Sequence, residues 1–196
     1  CVNVGSVGLY HYARILQPSD GSAIPIPVVC ITDRDVVPDE ATYISRPQNG
    51  RKRFISDYSA EELTAVVQSK QDRAQGGSTI VCVSDDWTLE FDLAKYGCAE
   101  LMHNAIHLAM KAGSRGERLT EEDEKTAIAE AKALWADLAA ADHSDVNLAS
   151  IIYQPLAEGD ASKAIAAQYA AHLVLTGEYG VGDELYRRLL TGKVVE

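Results

Sequence analysis

Two aspartates two residues apart, Asp33 and Asp35, are the residues of this sequence best suited to bind a metal ion. They follow directly on VVCIT (28–32), an apolar, β-branched run typical of a strand buried in a parallel sheet. Ligands of open parallel sheets bind beyond the carboxyl ends of the strands, and side chains two apart in extended backbone point the same way. The pair therefore predicts a site for a hard cation such as Mg²⁺ or Mn²⁺. The plain alternative is two solvated loop aspartates.

A second polar segment, SDDWTLE (84–90), follows the next predicted strand, TIVCVS (79–84). The carboxyl ends of neighbouring parallel strands meet at one edge of a sheet, so we expect Thr88 and Glu90 to lie near the first motif. Carboxylates gathered at one rim repel each other unless cations neutralise them. The alternative is a polar loop that leads into a helix, with Asp85 or Asp86 as its cap.

The elements that must position these motifs alternate between strand and helix in the first half of the chain. Ser59 is a suitable N-cap for the second helix, and Gly76 and Gly77 follow its predicted end. Such alternation implies right-handed crossovers and a parallel sheet covered by helices on both faces. The predicted strands are 2–4, 28–32 and 79–84, and the predicted helices are 7–17 and 59–74.

From residue 91 onward the sequence pattern is helical throughout. Thr120, with Asp123 three residues later, is close to a capping box, and the acidic run EEDE (121–124) is best interpreted as a solvated first turn. The predicted fold class is therefore α/β: a small parallel sheet flanked by helices, with an additional helical region. The predicted helices of that region are 91–112, 120–141, 145–157, 160–176 and 182–191.

Composition limits the classes of protein to which the chain can belong. Hydrophobic residues make up 46% of the 196 residues, enough for a real core, and no apolar run approaches the length of a membrane span. We therefore expect a soluble, cytoplasmic protein without a membrane partner. The net charge of −11 argues against a protein that coats nucleic acid through bulk charge, but it is compatible with a nuclease whose carboxylates bind cations.

The four cysteines show no zinc-ligand spacing, and their number fits a reducing compartment. Cys30 and Cys82 lie inside apolar runs, where cysteine behaves as a small buried hydrophobe.

Other residues that could carry chemistry have a plainer interpretation beside the functional one. The basic residues Arg51, Lys52 and Arg53 suit contacts with a DNA backbone, and a solvated loop explains them equally well.

His103 and His107 lie four apart on a predicted helix without the glutamate of a zinc protease, so packing is the preferred interpretation. Packing is also preferred for Trp87 over stacking on a nucleic-acid base.

The order of these motifs resembles the Toprim domain of the overcoming-lysogenization-defect (OLD) nucleases. A strand ending in DRD precedes a strand that leads into TLEFDLA (88–94), and VNVGSVGLYHYARIL (2–16) resembles the strand, glycine turn and helix before them. DASKAIAAQYAAHL (160–173) resembles the late helix that carries a lysine, here Lys163. The resemblance implies a Toprim core over 1–93, a helical insertion over 94–157 and C-terminal helices over 158–196 that return to the core.

The activity that the resemblance implies is metal-dependent endonuclease cleavage of DNA, in which two Mg²⁺ or Mn²⁺ ions assist phosphodiester hydrolysis. Asp33 and Asp35 would hold one cation, together with a glutamate that precedes this segment in the family. Glu90, with Thr88, would help to hold the second. Lys163 would stabilise the charge that develops on the phosphate; without the resemblance it is simply an exposed helix lysine.

One feature of the family would lie upstream of Cys1. Toprim domains begin with a glutamate at the end of a strand that precedes the segment matching 1–17, and this chain starts at Cys1. The family also carries an N-terminal ATPase region, whereas the 196 residues contain no GxxxxGK[ST] loop. We therefore expect a fragment of a larger ATPase–nuclease whose partners are DNA and the ATPase domain, and a homodimer is compatible with this assignment.

Two other hypotheses for the function compete with the nuclease hypothesis. A non-catalytic Toprim-like module would bind DNA or metal, or mediate oligomerisation, for a larger assembly, and the missing glutamate favours it. A receiver-like domain would use Asp33 as a phospho-acceptor, but the TLE motif and the long helical region fit that class poorly.

Overall fold

The computed structural model describes residues 9–17, 26–113 and 119–179. It is an α/β fold in which a small parallel sheet is flanked by helices, as predicted. The strand predicted at 2–4 and the helix predicted at 182–191 lie outside the described residues. The elements are α1 (Leu9–Ile15), β1 (Val28–Thr32), α2 (Ala60–Asp72), β2 (Thr79–Val83), α3 (Leu89–Leu93), α4 (Ala99–Ala112), α5 (Glu121–Ala140), α6 (Asp145–Glu158) and α7 (Lys163–Leu175), with a 3₁₀ turn at Ile55–Asp57 and a π-helical segment at Ala94–Cys98.

The two described strands pair in parallel, in a register that joins Val28 to Thr79 and Thr32 to Val83. The prediction of a parallel pair at these positions is confirmed. Cys30 is buried as predicted, Cys82 is half-buried, and both thiols are free. Because both strands end at the same edge, residues 33 and 84 begin their loops side by side, and the amide of Ser84 donates to the carbonyl of Thr32 at 2.9 Å.

Only one face of this sheet is covered among the described residues. Cys30 and Val81 are buried with Ala13 of α1 and Ala74, which follows α2. Alternate strand residues point to opposite faces, and on the other face the side chains of Val29, Ile31 and Ile80 remain 57–60% exposed. The prediction of helices on both faces is therefore wrong for the part of the chain that the structure describes, because α1 and α2 lie on the same side.

The helices begin where the capping residues predict. Ser59 accepts a hydrogen bond from the amide of Glu62, whose carboxylate accepts one from the amide of Ser59, and Thr120 caps α5.

The helix predicted at 91–112 begins two residues earlier and is interrupted at Gly97, where φ is 112°. Glycine adopts such a conformation without steric penalty, so α3 and α4 are separate helices. No helix among the described residues is long and apolar enough to cross a membrane.

The main core forms around α4, which packs against α5, α6 and α7. Phe91, Leu108 and Leu173 are fully buried there. The ring of Trp87 lies 4.5 Å from that of Tyr153 of α6, centroid to centroid, in an edge-on arrangement, so the packing interpretation of this tryptophan is confirmed. This aromatic contact ties the loop after β2 to α6 and brings the start of α7 close to the strand ends.

Candidate functional site

Three charged side chains from distant parts of the chain meet beyond the carboxyl ends of the strands. Lys163, the first residue of α7, places its Nζ 3.1 Å from Glu90 Oε2 and 3.6 Å from Asp33 Oδ2. Its ammonium group also lies 5.2 Å from the ring centroid of Tyr153. The structure thus brings together three of the four residues that the sequence nominates as catalytic.

Burial and neighbouring charges set the protonation of these groups. Burial raises the pKa of Asp33; the amide of Leu89, which donates to Oδ1 at 3.1 Å, and the Lys163 ammonium oppose this rise. For Lys163, burial alone would lower the pKa, but the Tyr153 hydroxyl and the carboxylates of Glu90 and Asp33 outweigh burial and raise it. Lys163 is therefore firmly charged at neutral pH, as an electrostatic role requires.

Asp35 is paired with a different lysine from Asp33 and Glu90. Its carboxylate pairs with Lys70, and its own side chain is largely exposed. The backbone at Asp35 is left-handed, with φ of 64°, because the amides of Arg34 and Asp35 both donate to the carbonyl of Trp87, at 2.9 and 3.2 Å. The extended backbone from which we predicted a shared direction for the two aspartates is therefore absent, and that part of the prediction is wrong.

Thr88 acts as the N-cap of α3. It is buried, and its hydroxyl oxygen accepts a hydrogen bond from the amide of Phe91 at 3.3 Å. The alternative in which Asp85 or Asp86 caps this helix is therefore wrong, because the cap is Thr88. By fixing the first turn of α3, Thr88 fixes the position of Glu90 two residues later; its role as a metal ligand stays a prediction.

The donor set that converges fits a hard cation. Two carboxylates, from Asp33 and Glu90, have oxygen atoms within 3.6 Å of one point, the Lys163 nitrogen. Mg²⁺ is commonly held by one or two protein carboxylates, with water completing its shell. No group of three or more histidine, cysteine, aspartate or glutamate side chains in a metal-binding arrangement occurs within 9–17, 26–113 and 119–179. Binding of one cation by Asp33 and Glu90, and of a second cation nearby, therefore both stay predictions.

The basic residues proposed for DNA lie in the segment between β1 and α2. Lys52 pairs with Glu62 and lies 5.4 Å from the Tyr58 ring centroid. The guanidinium of Arg53 donates to the carbonyl of Ser45 at 3.3 Å, whereas Arg51 is exposed. Two of the three side chains thus make contacts within the protein, and contact with DNA stays a prediction for all three.

The two histidines of α4 contact protein side chains. His103 Nδ1 lies 2.9 Å from the side-chain oxygen of Asn104, and its ring packs near Trp135. His107 Nε2 lies 3.6 Å from Glu130 of α5, and burial lowers the pKa of His107. These contacts agree with the packing interpretation.

Sequence reasoning missed three residues around the site. Lys70 donates to the carbonyl of Asp33 at 2.7 Å as well as pairing with Asp35. Asp92 is fully buried beneath the loop after β2, and burial raises its pKa to about 6. Tyr153 lies beneath Lys163. Only Asp92 gave a signal, since a carboxylate between Phe91 and Leu93 in an apolar segment needs a partner.

No known protein family, curated protein or solved structure matches this chain. The class of this protein is therefore described from its fold and its candidate site alone. The chain is an α/β protein with a parallel strand pair, and its strand-end loops meet a helix-borne lysine at two carboxylates.

Proposed function

We propose that this chain is the Toprim-like part of a metal-dependent DNA endonuclease of the OLD type, which works beside an ATPase domain in a larger protein. The observation that supports the proposal most is the meeting of Asp33, Glu90 and Lys163, which come from three elements far apart in sequence. The motif order nominated all three residues from the sequence. Their site also lies at the carboxyl edge of a parallel strand pair, where such folds bind ligands.

Each residue has a role that its environment supports. Asp33, oriented by the amide of Leu89, and Glu90, fixed by the first turn of α3, would hold the cation. A bound divalent cation activates a water molecule and neutralises charge on the phosphate. Lys163 is partly exposed at the same point, so its ammonium can bind a phosphate oxygen and stabilise the charge that develops during hydrolysis. Arg51, Lys52 and Arg53 would contact the DNA backbone.

The experiment is a nicking assay on supercoiled plasmid with Mg²⁺ or Mn²⁺, using protein that includes any residues encoded upstream of Cys1. We expect Asp33→Ala and Glu90→Ala each to lower the cleavage rate on the order of 10³-fold or more, as loss of an essential catalytic group does. Asp142→Ala, in the exposed turn before α6, is the matched control and should cut at the wild-type rate. Intact plasmid with wild-type protein, or normal cutting by both site variants, would refute the assignment.

The second candidate is a non-catalytic module that binds DNA or metal or mediates oligomerisation. The pairing of Asp35 with Lys70 favours it, because this pairing takes one predicted ligand away from the other carboxylates. A mobility shift of DNA by the wild-type protein, without cleavage under any divalent cation, would select this candidate over the nuclease.

A further inference from the structure

A buried carboxylate holds the loop between β2 and α3. Asp92 is fully buried, and its two oxygens accept hydrogen bonds from the amides of Asp85 at 2.7 Å, Asp86 at 3.3 Å and Trp87 at 3.3 Å. A buried carboxylate is costly unless it is well hydrogen-bonded, and three amide donors provide such bonding. The loop is thereby folded back onto the helix that follows it.

These hydrogen bonds differ from a helix cap. Thr88 already caps α3, and the three amides that Asp92 accepts from precede that cap. A first-turn acid needs no loop contacts to benefit from the helix dipole. The geometry of Asp92 therefore serves the loop at 85–87 rather than the helix.

The loop in turn holds the other strand end. The carbonyl of Trp87 accepts hydrogen bonds from the amides of Arg34 and Asp35, and the amide of Leu89 donates to the Asp33 carboxylate at 3.1 Å. A continuous set of hydrogen bonds thus runs from Asp92 through residues 85–89 to the aspartates that follow β1. Without the loop in this position, Asp33 would lose its oriented hydrogen bond.

We propose that Asp92 is a positioning residue of the candidate site, which acts through the loop at 85–87 on the backbone and carboxylate that follow β1. Only its consequences for metal binding and for cleavage rest on the proposed nuclease function. The coupling between the two loops is a property of the folded protein and can be measured without DNA.

The test is amide hydrogen exchange in Asp92→Asn. The amide side chain keeps the shape of the carboxylate but replaces one acceptor oxygen with a donor group. We expect exchange at residues 85–87 to accelerate on the order of tenfold, as loss of a hydrogen bond to a charged group implies, and exchange at Arg34 and Asp35 to accelerate with it. Wild-type exchange at Arg34 and Asp35 would overturn the proposal.

A destabilised control separates coupling from general loss of stability. Leu173→Ala removes a fully buried side chain of α7 and should accelerate exchange in the helical core without the joint effect on residues 85–87 and 34–35. An identical exchange pattern in both variants would also overturn the proposal. If Asp92→Asn does not fold, the wild-type protein can be tested by NMR, which should show scalar coupling across two hydrogen bonds: from the Asp85 nitrogen to the Asp92 carboxylate carbon and from the Arg34 nitrogen to the Trp87 carbonyl carbon. Absence of either coupling would overturn the proposal.

The link to function has its own readouts. In Asp92→Asn we expect Mn²⁺ affinity, measured by electron paramagnetic resonance, to fall on the order of tenfold, and kcat for DNA to fall while KM is unchanged. If the wild-type protein does not cleave DNA, the nuclease proposal fails, and the exchange result still decides the role of Asp92. Unchanged Mn²⁺ affinity with accelerated exchange would confine Asp92 to the fold and contradict its role at the site.

Discussion

The ammonium of Lys163 lies 3.6 Å from Asp33 Oδ2 and 3.1 Å from Glu90 Oε2, so its single positive charge offsets part of their two negative charges. Two carboxylates that face one another without a cation repel. A divalent ion that binds both must share their oxygens with the lysine or displace it. The same side chain that would assist phosphate chemistry therefore opposes metal binding.

This competition gives a prediction for Lys163→Met, which keeps the length of the side chain and removes its charge. We expect Mn²⁺ to bind on the order of tenfold more tightly, since a neighbouring charge shifts carboxylate equilibria by at least that factor, while DNA cleavage falls. Titration followed by electron paramagnetic resonance measures the affinity. Lys132→Met on exposed α5 is the matched control, and weaker binding by the Lys163 variant would contradict the competition.

At the scale of single residues, the sequence predicts which side chains could carry chemistry better than it predicts where those side chains point. The motifs nominate Asp33, Glu90 and Lys163, and the fold places them together. The direction of Asp35 was not predictable, because its left-handed backbone depends on a carbonyl more than fifty positions away, that of Trp87. Aspartate tolerates that conformation, so nothing local marks it. Tyr153 was not predicted for a similar reason. The sequence of an apolar helix does not show which aromatic ring will contact a lysine from another helix.

Among the elements, α5 is notable for how little of it is buried. Of its twenty residues only Ala127 and Ala131 are buried, and the helix packs against α4. Small side chains at these two positions permit a close approach that a larger one would prevent.

We therefore expect Ala131→Leu to lower the free energy of unfolding by about 1–3 kcal/mol, the usual cost of overpacking a filled interface. Urea unfolding followed by circular dichroism measures it. Ala133→Leu makes the same change at an exposed position of α5 and should stay within about 0.5 kcal/mol of wild type. Equal effects of the two variants would show that α5 does not rely on close packing at residue 131.

Element boundaries were predictable where the signal is local. Ser59 and Thr120 begin their helices as expected because a cap acts on the first turn alone. The break at Gly97 was missed because a single glycine is tolerated within a helical pattern, and apolar periodicity continues through it. Which side of the sheet α1 and α2 occupy was not predictable from strand composition, since the strands are apolar on both faces.

On the scale of the whole molecule, apolar surface is unevenly distributed. The helices around α4 bury a continuous core, whereas the strand pair leaves Val29, Ile31 and Ile80 exposed on one face. Parallel sheets are almost always covered on both faces, and contiguous apolar surface is uncommon on folded monomers.

This face should bind the dye 8-anilinonaphthalene-1-sulfonate. We expect the double variant Ile31→Thr with Ile80→Thr to lower dye fluorescence, because it removes apolar surface while keeping β-branched residues in the strands. Leu134→Thr, which changes a half-exposed leucine of α5, is the control and should leave fluorescence near that of wild type. Unchanged fluorescence in the double variant would place dye binding elsewhere.

The buried ring of Trp87 gives the protein an optical reporter at its candidate site. The chain contains two tryptophans, and the other, Trp135, lies on α5, so Trp135→Phe would leave a single indole emitter. That emitter lies against Tyr153, over whose ring the Lys163 ammonium is placed. Because indole emission responds to nearby charge, the intensity and wavelength of this one residue provide a label-free signal for titrations with cations or oligonucleotides.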